Sequence, residues 1–206
     1  MPGPRVFLLS PAKAGGRRYD LLVRPEARFD LAIKLREGLA TIGEVYSFIS
    51  GLYFRGKLTY AEAFAAAPAG VPSALVIVPG AGLVPPQTVV TIEQLRETAA
   101  IPVDEENSAF REPLLQAAQL LEAHAGPECA HVLLGSIASA KYIHPLLRVF
   151  HDRLLFPGEF VGRGDMSRGG LMLRCARSGQ ELTYVPVRGA VRRGPRPPKL
   201  EKWRKP

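Results

Sequence analysis

The sequence predicts an α/β protein: a mostly parallel sheet of about five strands flanked by helices, in a single domain. Three observations carry that expectation. Short apolar runs alternate with segments of helical periodicity at least five times, an order that lays strands side by side and covers the sheet with helices. Each apolar run stops at a cluster of Gly, Ser or Pro, the residues that end strands. With 206 residues, 47% of them hydrophobic and 22% charged, the chain can bury one core without a disulfide or metal staple.

Residues 5–10 (RVFLLS) read as a buried strand running into a loop at Ser10-Pro11 and Gly15-Gly16. Pro25 stands where a helix can begin, and Phe29, Ala32, Ile33 and Arg36 recur at helical spacing until Gly38. Residues 44–49 read as a second strand, closed by Ser50-Gly51. Residues 60–67 are alanine-rich and helical, and 68–72 form a linker. The third strand, 74–78, ends at Pro79-Gly80-Ala81-Gly82. Thr91 caps a helix through Ala100, with Glu93 and Glu97 along it. A longer helix, 109–125, aligns Leu114, Ala118 and Leu121 and stops at Gly126-Pro127. Strand 131–134 ends at Gly135-Ser136; a helix follows over 139–150, with Pro145 near its start or kinking it. Residues 154–156 make a short fifth strand. Residues 166–177 then read as a helix capped by Asp165 and stopped by Gly179, before a strand within 181–187. A hairpin around Ser178-Gly179 is the competing pattern.

The net charge of +8 is unevenly placed. Residues 188–206 carry eight Lys and Arg against Glu201, which gives this proline-rich segment +7 and leaves +1 for the rest. The expected division is therefore a nearly neutral α/β domain over 1–187 and a basic tail over 188–206. Such a tail suits sequence-independent phosphate contact, with Trp203 stacking on a base, or else it is a solvated terminus with Trp203 folded back onto the body. Apolar runs such as 6–9 and 75–78 are too short to span a bilayer, so no membrane partner is expected. The segment Met1-Pro2-Gly3-Pro4-Arg5 has no apolar stretch of a secretory signal, and Cys129 and Cys175 form no framework. Both features point to a reducing, cytoplasmic setting.

The proposed strands place Ser10, Ser50-Gly51, Gly80 to Gly82 and Gly135-Ser136 at one sheet edge. In open α/β sheets that carboxyl edge is where ligands bind, because loops and helix N-termini converge there. Lys13, Lys141, Arg163 and Arg168 fall at or near the same edge and predict an anionic ligand. The densest segment, 159–170 (EFVGRGDMSRGG), joins Gly162, Gly164, Gly169 and Gly170 to those two arginines. Its spacing is not a dinucleotide fingerprint, no GxxxxGK[ST] loop exists, and no cofactor is expected. The histidines lack ligand spacing, so the expected metal set is empty; no GxSxG elbow surrounds Ser10, Ser50 or Ser136. If the chain is an enzyme, Glu159 or Asp165 can serve as acid or base, and Lys13 or Lys141 as nucleophile or phosphate clamp. The competing structural roles are a helix cap for Asp165 and an arginine pair for Glu159. Tyr53 and Tyr142 can stack on a base or pack in the core.

Four segments carry a resemblance to a known family. Ser10-Pro11-Ala12-Lys13 resembles the SPAK that follows the first strand of the YaaA (peroxide stress protein) family, and Ser50-Gly51-Leu52-Tyr53 resembles its SGLYG. Residues 137–142 (IASAKY) are similar to its LASxEY, and residues 163–168 (RGDMSR) to the RGxMxR of its KxARGxMxR signature. The order of the motifs is the family's, over residues 10 to 168. Lys141 stands in place of the motif glutamate, Phe54 in place of the last glycine of SGLYG, and Phe160 and Gly162 in place of a lysine and an alanine. The pattern is that of a distant relative. The resemblance implies a compact α/β fold with a basic cleft, DNA binding, and a role in protecting DNA during oxidative stress. Related domains also occur with enzymes of deazaguanine nucleobase modification, which implies, as the alternative, a glycosylase or base transferase acting on a nucleobase or nucleotide. On either reading the partner is DNA or a nucleotide. Lys13, Arg163 and Arg168 would hold phosphate, and Ser10, Ser50, Ser136 and Ser139 would be neutral donors. Gly51, Gly135, Lys141, Tyr142, Gly164 and Ser167 complete the candidate set.

Overall fold

The computed structural model describes residues 3–198 and 200. Its centre is a six-stranded sheet of order β3-β2-β1-β4-β5-β6. The strands are β1 (Arg5–Leu9), β2 (Ala74–Val78), β3 (Gly82–Val84), β4 (Ala130–Leu134), β5 (Leu154–Pro157) and β6 (Tyr184–Pro186). The inner four are parallel, and β3 and β6 close the two edges antiparallel. The fold is thus α/β with a mostly parallel sheet, as the alternation predicts. The chain leaves β1 for β2 on one side and returns to β4 on the other, so the order reverses at β1.

Every residue of β1 is buried, because helices cover both faces. Phe7 and Leu9 join one core layer with Val76, Val132 and Leu134. Val6 and Leu8 join the opposite layer with Leu75, Ile77 and Leu133. The first layer is roofed by α1 (Arg17–Leu22), α2 (Asp30–Arg36), α3 (Ile42–Ser50), α4 (Leu52–Ala63), α5 (Ile92–Ala100) and α8 (Asp165–Ser178). The second is roofed by α6 (Ser108–Ala125) and α7 (Ala140–Phe150). No helix among the described residues is long and apolar enough to cross a membrane. Cys129 is buried, Cys175 is partly exposed, and both are free thiols.

Four expectations are corrected. Residues 44–49 are helical, not a strand. Thr41 and Glu44 form a reciprocal capping box, and Ile42, Val45 and Tyr46 bury one face at helical spacing. Ser50-Gly51 therefore joins two helices, α3 and α4, and α4 begins well before residue 60. Gly80-Ala81 turns a hairpin, and the added edge strand β3 accounts for the sixth strand. Asp165 is the first residue of α8 and Gly164 its N-cap, without a side-chain cap bond. Gly179 ends α8 in a left-handed conformation and a strand follows, so the helix-then-strand pattern holds over the hairpin.

Between residues 188 and 195 the chain touches the body at two places. Arg188 pairs with Asp152 at 2.9 Å. Residues 194 and 195 pass so close to Gly162 that a Cβ there would lie 2.1 Å from the Pro195 carbonyl oxygen. Trp203 and the last basic residues lie outside the described residues.

Candidate functional site

A cavity of about 820 Å³ opens at the carboxyl edge of the sheet, where the strand order reverses. Its floor is the end of β1 beside the end of β4: Ser10 N–H donates to the Leu134 carbonyl at 3.3 Å. Gly135 makes that neighbourhood possible, because a Cβ there would lie 3.0 Å from the Ser10 Cβ. The walls come from the loop of residues 11–16 and from Tyr46, Ser50, Tyr53, Ser136 and Tyr142. Four cationic side chains line it (Lys13, Arg17, Arg18 and Lys141) against one carboxylate, Asp165.

Behind Ser10 lies Lys57, 1% exposed. Its Nζ donates to the Ser10 Oγ at 2.7 Å and to the Ser10 carbonyl at 2.9 Å. The ammonium also sits 3.9 Å from the centre of the Tyr53 ring. Burial brings the Lys57 amine down to about 7; Asp165 opposes that fall and Arg168 adds to it. A lysine so placed can hold or release a proton near neutrality.

The hydroxyls of Tyr46 and Tyr53 are buried at the cavity; that of Tyr46 has no hydrogen-bond partner among the described residues, while that of Tyr53 feels Ser10 and Arg168 beside it. Burial raises both hydroxyls, Tyr53 to about 12, so both stay protonated and able to donate. The unpaired Tyr46 hydroxyl is therefore a donor in the cavity wall.

Helix α8 carries the arginines of segment 159–170, and the structure spends them locally. The buried Arg168 donates through Nε and Nη2 to the Phe160 carbonyl, each at 3.2 Å, and pairs with Asp165 at 3.4 Å. Arg163 donates to the Glu159 carbonyl at 3.0 Å and to Ser167 Oγ at 3.2 Å, and it does not line the cavity. The Glu159 carboxylate accepts the Thr183 N–H through Oε1 at 3.1 Å. Gly169 is a packing residue rather than a phosphate-loop residue. It meets Gly56 of α4 so closely that a Cβ on it would lie 2.7 Å from the Leu52 carbonyl oxygen.

Of the sequence-predicted residues, Ser10, Lys13, Ser50, Ser136, Lys141, Tyr142 and Asp165 share the cavity lining. Gly135 supports the floor. Ser136 Oγ accepts the Ala138 N–H at 3.3 Å, and Ser139 is the N-cap of α7 without a side-chain cap bond. Gly51, Gly164, Ser167, Glu159, Arg163 and Arg168 lie outside the lining. Lys57, Tyr46, Arg17 and Arg18 escape the sequence reading. For Lys57 a signal existed: it stands four residues after Tyr53 and three before Tyr60, on the face that packs inward.

Compared with protein-family models, with curated proteins and with solved structures, the chain matches none of them.

Proposed function

We propose that the cavity binds a nucleotide unit, free or presented by a nucleic acid. The observation that carries this reading is the rim of cations around the cavity, with the buried Tyr46 hydroxyl, unpaired among the described residues, in its wall. Lys13, Arg17 and Lys141 suit a phosphate, and Arg18 adds its charge although its Nη1 donates to the Phe48 carbonyl at 3.2 Å. Tyr53 and Tyr142 offer rings for a base, and the Tyr46 and Tyr53 hydroxyls offer donors to its polar edge. An open groove for duplex DNA would draw on Arg163 and Arg168, whose guanidinium groups bind carbonyls and side chains of their own segment. A terminal or extruded nucleotide fits a cavity of this size, and a DNA-protecting role would reach the cavity in that way.

Thermal unfolding in the presence of nucleobases, nucleosides, nucleoside monophosphates and inorganic phosphate tests the reading. Nucleotides are expected to raise the melting temperature more than phosphate or base alone; ligand at 100 times Kd adds about 2.7 kcal/mol. Gel retardation of single-stranded and duplex DNA separates the two sources. Retardation of single strands with displacement by free nucleotide places the cavity on a nucleic acid. No shift with any nucleotide and no retardation overturns the proposal.

A further inference from the structure

Ser10 and Lys57 form an arrangement that phosphate or base binding does not require. Ser10 is 5% exposed, lines the cavity, and follows the strand end at the reversal of sheet order. Lys57 is fully enclosed between Ser10 and the rings of Tyr53 and Phe54, and both its hydrogen bonds are to Ser10. It has no salt bridge among the described residues, although a buried cation ordinarily needs one. A methionine would fill the same volume at lower cost. What lysine adds is an amine 2.7 Å from the hydroxyl of a residue that lines a cavity, a hydroxyl whose other partner is the Leu134 carbonyl at a long 3.4 Å. The first turn of α7 borders the same cavity at Lys141 and Tyr142, and its N–H groups receive no side-chain cap from Ser139.

We propose that Ser10 and Lys57 are a nucleophile and its general base, a serine–lysine dyad that hydrolyses a carboxylic ester bearing an anionic group. The neutral Lys57 amine takes the Ser10 hydroxyl proton as Oγ bonds to the ester carbonyl carbon, and the carbonyl electron pair moves onto oxygen. The oxyanion is met by N–H groups of the first turn of α7. Collapse breaks the bond to the alcohol oxygen, which leaves with the proton from Lys57, and the acyl group stays on Ser10. A water molecule then gives a proton to Lys57 while its oxygen bonds to the acyl carbon. The Ser10–acyl bond breaks, and Oγ recovers the proton from Lys57. One ester and one water become one alcohol and one carboxylic acid. The rim cations select the anionic group. Asp165 and Arg168 on α8 and Tyr53 on α4 are the titratable or charged groups that face Lys57.

The inference does not require the ligand to be a nucleotide, so nucleotide-induced melting shifts and the dyad stand or fall separately. The test is labelling of the full chain with diisopropyl fluorophosphate, mapped by peptide mass spectrometry, together with hydrolysis of p-nitrophenyl acetate across pH. The expected result is a single label on Ser10, with rates that rise on the alkaline side as Lys57 loses its proton. Ser10→Ala abolishes both, and Lys57→Met slows both by ~100-fold or more. Should Lys57→Met fail to fold, the wild-type label position and pH profile decide. An unlabelled Ser10 overturns the dyad, as does a wild-type labelling rate that is flat across pH 6 to 9. A folded Lys57→Met protein that labels at the wild-type rate does the same.

Discussion

Gly56 of α4 and Gly169 of α8 meet backbone to backbone: a Cβ on Gly56 would lie 2.7 Å from the Gly169 carbonyl oxygen. That contact sets the spacing of the two helices. It brings Lys57, one residue after Gly56, within electrostatic reach of Asp165 and Arg168 near the start of α8. Because the obstructing atoms are backbone, neither helix can yield by turning a side chain. Gly169→Ala and Gly56→Ala should each destabilise the fold by roughly 1–3 kcal/mol. Urea unfolding measures this, and an unchanged midpoint would show that the helices can separate freely.

Lys57 should also write a pH dependence into stability. Burial lowers its amine to about 7 in the fold, whereas in the unfolded chain it titrates near 10.4. Between those values the unfolded chain binds a proton that the native protein does not. The contribution of Lys57 to stability therefore rises with pH across this window, by roughly 1.4 kcal/mol per unit, and its burial cost is full below about pH 7. Unfolding midpoints compared at pH 6, 8 and 9.5 for wild type and Lys57→Met would reveal it. The variant should lose that slope, and equal slopes would contradict it.

His131 acts in the acid range. It is wholly buried in β4, its ring stacks on Phe150 at 3.7 Å, and neither ring nitrogen has a partner among the described residues. Burial, reinforced by the charge of Arg153, lowers it to about 3. The unfolded histidine binds its proton near 6.5, so its contribution is lost as pH falls from about 6.5 toward 3. His131→Phe should flatten acid unfolding over that range by roughly 1.4 kcal/mol per unit. The comparison is a pair of acid titrations followed by circular dichroism, and superimposable curves would refute it.

Arg5 and Glu181 tie the start of the central strand to the segment before β6. Their side chains pair at 2.7 Å, with Arg5 8% exposed, and Glu181 also accepts the Tyr184 hydroxyl at 2.6 Å. Glu181→Ala leaves the buried guanidinium without its partner and should cost roughly 3 kcal/mol. The double variant Arg5→Met with Glu181→Leu should recover part of that loss. Thermal melts of the three variants provide the check, and a double variant less stable than Glu181→Ala would contradict it.

The sheet was legible because strands 74–78 and 131–134 are compact apolar runs between unmistakable stops. The Thr91 cap was legible for a local reason: its partner Gln94 is three residues away. Residues 44–49 misled because β-branched and aromatic residues also suit a buried helix face, and the decisive sign pairs Glu44 with Thr41, which lies before the run. At the site, Ser10 and Ser136 could be read from sequence since each follows a strand. Lys57 is marked only by its spacing from Tyr53 and Tyr60, because a lysine after Arg55-Gly56 otherwise resembles a solvated helix residue until α8 closes over it. The roles of Arg163 and Arg168 depend on carbonyls presented by a turn, which no side-chain pattern encodes.

The proposed ligand of the cavity is a nucleotide unit held by the rim cations and the tyrosine hydroxyls. Isothermal titration of a nucleoside monophosphate into wild type, Tyr53→Phe and Lys13→Ala tests it most directly. Saturable binding at one site is predicted, weakened by about tenfold on loss of the Tyr53 hydroxyl and made less salt-sensitive on loss of the Lys13 charge. No saturable heat in the wild type, or affinity unchanged in both variants, would contradict it.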